Sequence, residues 1–396
     1  MQICLNSTAY FTRDAQYEFA NQAAADQVYA FHKSLPDYCP TPLHSLESLA
    51  HHLNINRLWV KDESQRFDLN AFKVLGASYA VAHVLAQHLG LAPNTPDYNE
   101  LLDYTEIVAR KEEYAELTLV TATDGNHGRA VAWAAQRFGC AAQVFLPAGA
   151  SQERLDAIKA YGATAKILDG SYDQAVAHAA HVATQAQHIL IQDTSWDTYT
   201  QVPQLITQGY FSLLTEAISQ LPNQEYPTHV LVQGGVGSLP ASLLARLTMD
   251  QCLPQKPIFI VVEPKAADCL FRSIAQNKGE PTSINGQLNT IMAGLACGTP
   301  SKDALAILRA SADAFLSCSD AVAKRGMRVL GNPLGTDARI VSGESGAVTL
   351  GAVYELFNDP NNESLRQQIK LDKHSKVLLF STEGDTAPDV YRSIVW

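Results

Sequence analysis

Short apolar runs rich in Val, Ile, Leu and Phe alternate with stretches of helical spacing over most of this chain. Runs at residues 117–121, 142–146, 165–168 and 189–192 predict strands, and the stretches 128–138, 152–161 and 172–187 predict the helices between them. Later runs at 230–233, 258–262 and 376–381 repeat the theme, each ending in a turn. Strands that are apolar on both faces and separated by helices belong to a parallel sheet covered on both sides. The pattern therefore predicts an α/β chain with two open, mostly parallel, twisted sheets covered by helices. Residues 91–116 break the pattern with two prolines and several acids, which predicts a surface loop and a short helix, and 222–227 and 359–363 read as surface turns. At 396 residues the chain is too long for one small core. It divides into a large domain, residues 1–84 and 195–396, and a small domain, 85–194, inserted in it.

Ligands of open α/β sheets sit outside the carboxyl ends of the strands, and three turns in that position are chemically unusual. In Thr121-Ala-Thr-Asp-Gly-Asn-His-Gly128, Thr123, Asp124 and Asn126 offer polar side chains and the glycines allow close backbone approach. The following helix start favours an anion, although an ordinary capped helix with glycine turns reads the same way. In Gln233-Gly-Gly-Val-Gly-Ser-Leu239, successive N–H groups form a nest for phosphate. Its glycine spacing is not that of a dinucleotide fingerprint, since Pro240 takes the place of the third glycine counted from Gly235, and no Gly-Lys-Ser/Thr follows. Phe380-Ser-Thr-Glu-Gly-Asp385 closes the last strand with hydroxyls that can face a heterocyclic nitrogen, or simply cap a helix. Upstream, Lys73 has Phe72, Val74 and Leu75 beside it and small Gly76 and Ala77 after it. Apolar surroundings push a lysine towards its neutral, nucleophilic form, competent to form a Schiff base. A surface lysine with a packed stem is the alternative.

Taken in order, the lysine, the Gly-Asn loop, the phosphate nest and the terminal hydroxyl resemble the fold-type II pyridoxal-phosphate enzymes, the group of serine and threonine dehydratases and tryptophan synthase β. The resemblance spans residues 40–390 and is closest to the diaminopropionate ammonia-lyase subfamily. It rests on Asn70-Ala71-Phe72-Lys73 with Leu75 where dehydratases carry an arginine, and on Asp124-Gly-Asn-His-Gly where dehydratases have serine. Gln192-Asp193-Thr194-Ser195-Trp196 and Thr290-Ile291-Met292-Ala293-Gly294-Leu295 are similar too. The departures are a longer segment between Lys73 and Asp124, and Val236 and Ser238 in the glycine loop.

The resemblance implies pyridoxal 5'-phosphate in a cleft between the domains, held covalently by Lys73. Gly234, Gly235, Val236 and Gly237 would cradle the phosphate, Asn126 would bond the phenolic oxygen, and Phe72 would pack near the ring. Ser381, or failing that Thr382, would face the pyridine nitrogen, and Glu344 is a neighbour without an assigned role. The implied reaction is α,β-elimination of D- and L-2,3-diaminopropionate to pyruvate and two ammonia. Acidic groups suit a diamine, both to recognise its cation and to manage its protons. Asp124 would take the α-proton of the D-isomer, Lys73 that of the L-isomer, and Asp193 is the second carboxylate. A serine or threonine dehydratase, another β-eliminase on the same scaffold, and a non-catalytic binding protein are the rival readings.

Charge and cysteine usage narrow the setting. A net charge of −11 excludes nucleic acid or an anionic membrane as the main partner. The seven cysteines are scattered, with no Cys-x-x-Cys pair, which suits a reducing compartment, although Cys269 and Cys297 could approach one another. No apolar run reaches the length of a membrane span and the N-terminus does not read as a signal peptide, so the expectation is a cytoplasmic enzyme, by resemblance a homodimer. His178 and His181, three apart on a helix, read as a solvated face rather than a metal site, and His127 reads as structural.

Overall fold

The computed structural model describes residues 1–7, 17–92, 102–123, 125–250, 253, 255–276, 280–284 and 286–396. Asp124 and the central part of the 91–116 segment lie outside the described residues. In chain order the strands are β1 Gln2–Leu5, β2 Leu43–Ser45, β3 Arg57–Asp62, β4 Thr118–Ala122, β5 Ala141–Leu146, β6 Thr164–Ile167, β7 His188–Leu190, β8 His229–Gln233, β9 Ile258–Pro264, β10 Ala314–Cys318 and β11 Lys376–Ser381. The residues form two compact units. One comprises Met1–Tyr17, Pro40–Ala71 and Leu213–Trp396, and the other Glu18–Cys39 and Phe72–Ser212.

The first unit holds a seven-stranded sheet in the order β1-β10-β9-β8-β11-β3-β2. Its interior pairs are parallel, and only the edge pairs β1–β10 and β2–β3 are antiparallel. β8 and β10 are buried along their whole length, and β9 and β11 at all but their first residue, because helices cover the sheet. The second unit holds a four-stranded parallel sheet, β6-β5-β4-β7. The α/β architecture with two largely parallel sheets is thus as the hydrophobic pattern predicts.

Each sheet reverses its winding once. In the first unit the chain steps from β8 outward through β9 to β10, while β11 lies on the other side of β8. In the second it steps from β4 outward through β5 to β6, while β7 lies on the other side of β4. Loops leaving neighbouring strands in opposite directions open a crevice at such a switch point. The glycine loop follows β8 and the Ser-Thr-Glu turn follows β11. The Gly-Asn loop follows β4 and Asp193 follows β7. All the unusual turns therefore fall on the two switch points.

Four strands escape the hydrophobic pattern: β1, β2, β3 and β10. The most informative is β3, whose last two residues are Lys61 and Asp62. Lys61 is fully buried because its Nζ meets Glu216 Oε2 at 2.6 Å. Arg66 joins the same cluster, 2.8 Å from Glu216 and 2.8 Å from Glu63, with all four side chains at most 1% exposed. Of the 91–116 segment, the described part contains the short helix Tyr104–Ala109. No helix among the described residues is long and apolar enough to cross a membrane.

Candidate active site

In the second unit Lys73 opens the helix Lys73–His88. This helix lies in backbone contact with Gln201–Gly209: a Cβ on Gly209 would stand 2.5 Å from the Leu75 carbonyl oxygen, and one on Gly76 would stand 2.6 Å from the Tyr210 ring. The close crossing brings Tyr210 against Phe72, ring centroids 4.8 Å apart, and the Lys73 Nζ lies 5.7 Å from the Phe72 ring. The Tyr210 hydroxyl is buried with no hydrogen-bond partner among the described residues. Burial pushes its pKa up.

Lys73 Nζ donates to Asp193 Oδ2 at 2.6 Å, with the lysine side chain 18% and the aspartate 5% exposed. Apolar neighbours are therefore only part of the lysine's environment, since its amine is ion-paired rather than isolated. Burial opposes ionisation of Asp193. The Lys73 charge, with the hydrogen bonds to the carboxylate, outweighs it and holds the carboxyl at about 2. Asp193 is delivered from the end of β7 by a chain of bonds. Ile191 N–H extends the ladder to Val120, and Gln192 N–H donates to the Tyr199 hydroxyl. The Gln192 side-chain oxygen accepts from Ala122 N–H at the end of β4.

Across the switch point, Thr123 Oγ1 accepts from the N–H groups of Gly125 and Gly128, both at 2.9 Å, and so shapes the Gly-Asn loop. Gly128 has no room for a side chain, because a Cβ would meet Thr123 at 2.3 Å. Asn126 begins the helix Asn126–Phe138 and is half-buried. His127 is buried and its Nε2 donates to the Ile191 carbonyl at 2.8 Å. Lys73, Phe72, Asp193, Asn126 and His127 thus share one end of one sheet.

In the first unit the glycine loop leads from β8 into the helix Ser238–Met249. Gly237 sits at φ +104°, a left-handed conformation that favours glycine, and a Cβ on Gly235 would stand 3.2 Å from the Gly294 oxygen. The N–H groups of Gly235, Val236 and Gly237 donate to no protein acceptor among the described residues. Open amide donors, no room for side chains and a helix start behind them fit a phosphate group.

Beside that loop, the Gln233 amide donates to Thr382 Oγ1 and to the Phe380 carbonyl, both at 2.9 Å, tying β8 to the turn after β11. Ser381 Oγ donates to Ser342 at 2.8 Å, whereas the Thr382 hydroxyl accepts and keeps its proton for another partner. Glu383 accepts from Ser345 N–H at 3.0 Å and bridges to Ala71 through its backbone. Gly384 N–H donates to the carbonyl of Asn70, which is itself at φ +53°. The turn after β11 therefore fixes the segment immediately before Phe72 and Lys73. Glu344 is buried in the adjoining turn. Cys269 and Cys297 carry thiols rather than a shared disulfide, and both lie against Gly235.

Sequence reasoning passed over Gln233, Tyr210 and Glu383. Gln233 and Glu383 belong to quoted motifs, but their roles depend on segments distant in sequence, which spacing does not reveal. His178 and His181 are exposed, and His178 rests edge-on against Phe145 at 4.5 Å. No group of three or more potential metal ligands exists among the described residues.

The chain is similar to known proteins along its whole length. The family model described as pyridoxal-phosphate dependent enzyme matches residues 35–365. A diaminopropionate ammonia-lyase of Escherichia coli strain K12 is 43% identical, over 100% of this chain and 97% of the relative. That of Salmonella typhimurium strain LT2 is 43% identical, over 96% and 94% respectively. The crystal structure of the E. coli diaminopropionate ammonia lyase in complex with an aminoacrylate-PLP azomethine reaction intermediate matches with a TM-score of 0.89 at 41% identity, covering 100% of this chain and 96% of that one.

Proposed function

The chain belongs to the pyridoxal-phosphate dependent enzymes, and on that premise we propose that it eliminates ammonia from 2,3-diaminopropionate, yielding pyruvate and two ammonia. The observation that carries the reading is the buried, ionised Asp193 on the amine of Lys73, in a chain alike from end to end to enzymes that bear this activity in their names. A fixed carboxylate at the reactive amine is a receptor for a second ammonium group, which a hydroxy-amino acid lacks.

Bound pyridoxal phosphate supplies an electron sink for charge developing at the substrate's Cα. Lys73 is the amine that would hold it covalently. The N–H groups of Gly235, Val236 and Gly237, with Gly234 clearing the space, would hold its phosphate. Asn126 would donate to the phenolic oxygen and Phe72 would pack by the ring. Ser381 would offer the pyridine nitrogen a neutral hydroxyl; Thr382, whose proton is not given to Gln233, is the second candidate. When its amine is free, Lys73 removes the α-proton of the L-isomer. Asp124 would serve the D-isomer. Asp193 orients the Lys73 amine and receives the β-ammonium, so that ammonia leaves as a neutral molecule. The reading includes a homodimer in the cytoplasm.

The test is pyruvate release from D- and L-diaminopropionate by the cofactor-loaded protein, with L-serine and L-threonine in parallel. Turnover of both diaminopropionate isomers far above the hydroxy-amino acids is the expected result. Preference for serine or threonine would instead make the chain a dehydratase and remove the diamine role from Asp124 and Asp193.

A further inference from the structure

We propose that His127 is a positioning residue for Asp193, a neutral donor that fixes the peptide leading to this carboxylate from the Gly-Asn loop across the switch point. The inference rests on the catalytic role given above to Asp193.

The imidazole is 2% exposed, and its Nε2 lies 2.8 Å from the Ile191 carbonyl oxygen. A carbonyl only accepts, so Nε2 carries the proton and Nδ1 is left with a bare lone pair. That Nδ1 is buried and has no partner among the described residues. A buried polar atom left unsatisfied needs a reason, and here the reason is the other nitrogen: the ring is placed to serve Ile191. Residues 191–193 lie past the end of β7 and are held piece by piece. Val120 takes the Ile191 N–H, Tyr199 takes the Gln192 N–H, and Ala122 holds the Gln192 side chain. His127 holds the carbonyl between those two N–H groups, and so sets the tilt of the peptide two residues before Asp193 reaches Lys73.

Burial keeps the ring in this form. It lowers the imidazole pKa, the Lys73 ammonium adds to it, and the Asp193 carboxylate and the Ile191 carbonyl oppose it without reversing the result. The ring is therefore a fixed-tautomer donor at neutral pH, unlike a general acid that must gain and lose its proton. Displacing a catalytic group by about 1 Å can lower a rate by roughly 10²-fold, which is the scale on which a lost His127 bond acts.

Three variants of the full, cofactor-loaded chain separate this role from mere packing. In His127→Gln the side-chain amide nitrogen reaches the place of Nε2. In His127→Asn it stops near Nδ1, and in His127→Ala it is absent. The expected pattern is a Gln variant within about threefold of wild-type kcat, with the Asn and Ala variants lowered by roughly 30- to 100-fold at nearly unchanged KM. The pH midpoint of the cofactor's absorption band is expected to move in the Asn and Ala variants and to stay in place in the Gln variant, because that band reports the field of Asp193 at Lys73. Wild-type rates in all three, or equal impairment of Gln and Asn, would overturn the proposal. Should the variants fail to fold, 15N NMR of the wild-type imidazoles decides: a buried neutral Nε2–H tautomer at neutral pH is expected, and a protonated or Nδ1–H ring there refutes it. Failure of wild type to turn over diaminopropionate would sink the functional reading alone, since the NMR readout does not depend on substrate.

Discussion

Asp193 keeps its charge where burial works against it, because the Lys73 ammonium 2.6 Å away stabilises the carboxylate. With its carboxyl held at about 2, it is ionised at any working pH. Asp193→Asn removes the charge while keeping the shape, so kcat for diaminopropionate should fall by about 10²-fold while the cofactor still binds; steady-state kinetics and cofactor titration would check both. His83 presents the opposite case. Desolvation pushes this buried imidazole down to about 4. The unfolded chain protonates it near pH 6.5 and the folded chain does not until about pH 4, so stability is full above that window and declines as pH falls through it, by up to about 3 kcal/mol. Urea unfolding of His83→Leu between pH 7 and pH 4 should show a correspondingly flatter pH dependence. Motifs in the sequence name Lys73, Asp193, Asn126 and the glycine loop, since each sits in a local pattern with its own chemistry. They do not reveal that Asp193 is the partner of Lys73, nor that His127 grips Ile191, because those pairings depend on strand order.

Among the elements, the lysine helix owes its place to two glycines rather than to an apolar stripe. Gly76 and Gly209 let Lys73–His88 and Gln201–Gly209 touch backbone to backbone. Gly209→Ala would thrust a methyl into the Leu75 carbonyl, where no flexible side chain can yield. A loss of about 1–3 kcal/mol is expected, visible as a lower Tm together with weaker cofactor retention, because the same shift moves Lys73. Most strands legible from sequence carry runs of Val, Ile, Leu and Phe. β3 is hidden by Lys61 and Asp62, whose burial is explained only by Glu216, an acid far along the chain. β1 and β2 are short edge strands that leave most of their residues partly exposed, so they carry little hydrophobic signal.

Within the whole molecule, the Lys61–Glu216–Arg66–Glu63 cluster ties β3 to the helix Phe211–Ser219 inside the first unit. Removing one member strands its partners without water, so Glu216→Ala should cost about 3–5 kcal/mol. Chemical denaturation would measure it, and a Lys61→Met, Glu216→Leu double variant should lose less than the two single variants summed. The two-sheet plan was legible because alternating strands and helices permit few topologies. The order of strands within each sheet was not, because nothing local records which strand lies beside which.

That order has a consequence in time. β11 lies between β8 and β3, yet it is the last strand in the chain. During synthesis the β2–β3 pair emerges early and has no neighbour on its inner side until residues 376–381 leave the ribosome. Until then the sheet exists as two separate pieces, with raw edges turned towards the gap that the final strand will fill. The growing chain must therefore be shielded from other chains until that strand is made, and a chain cut short just before it is left with a sheet that cannot close.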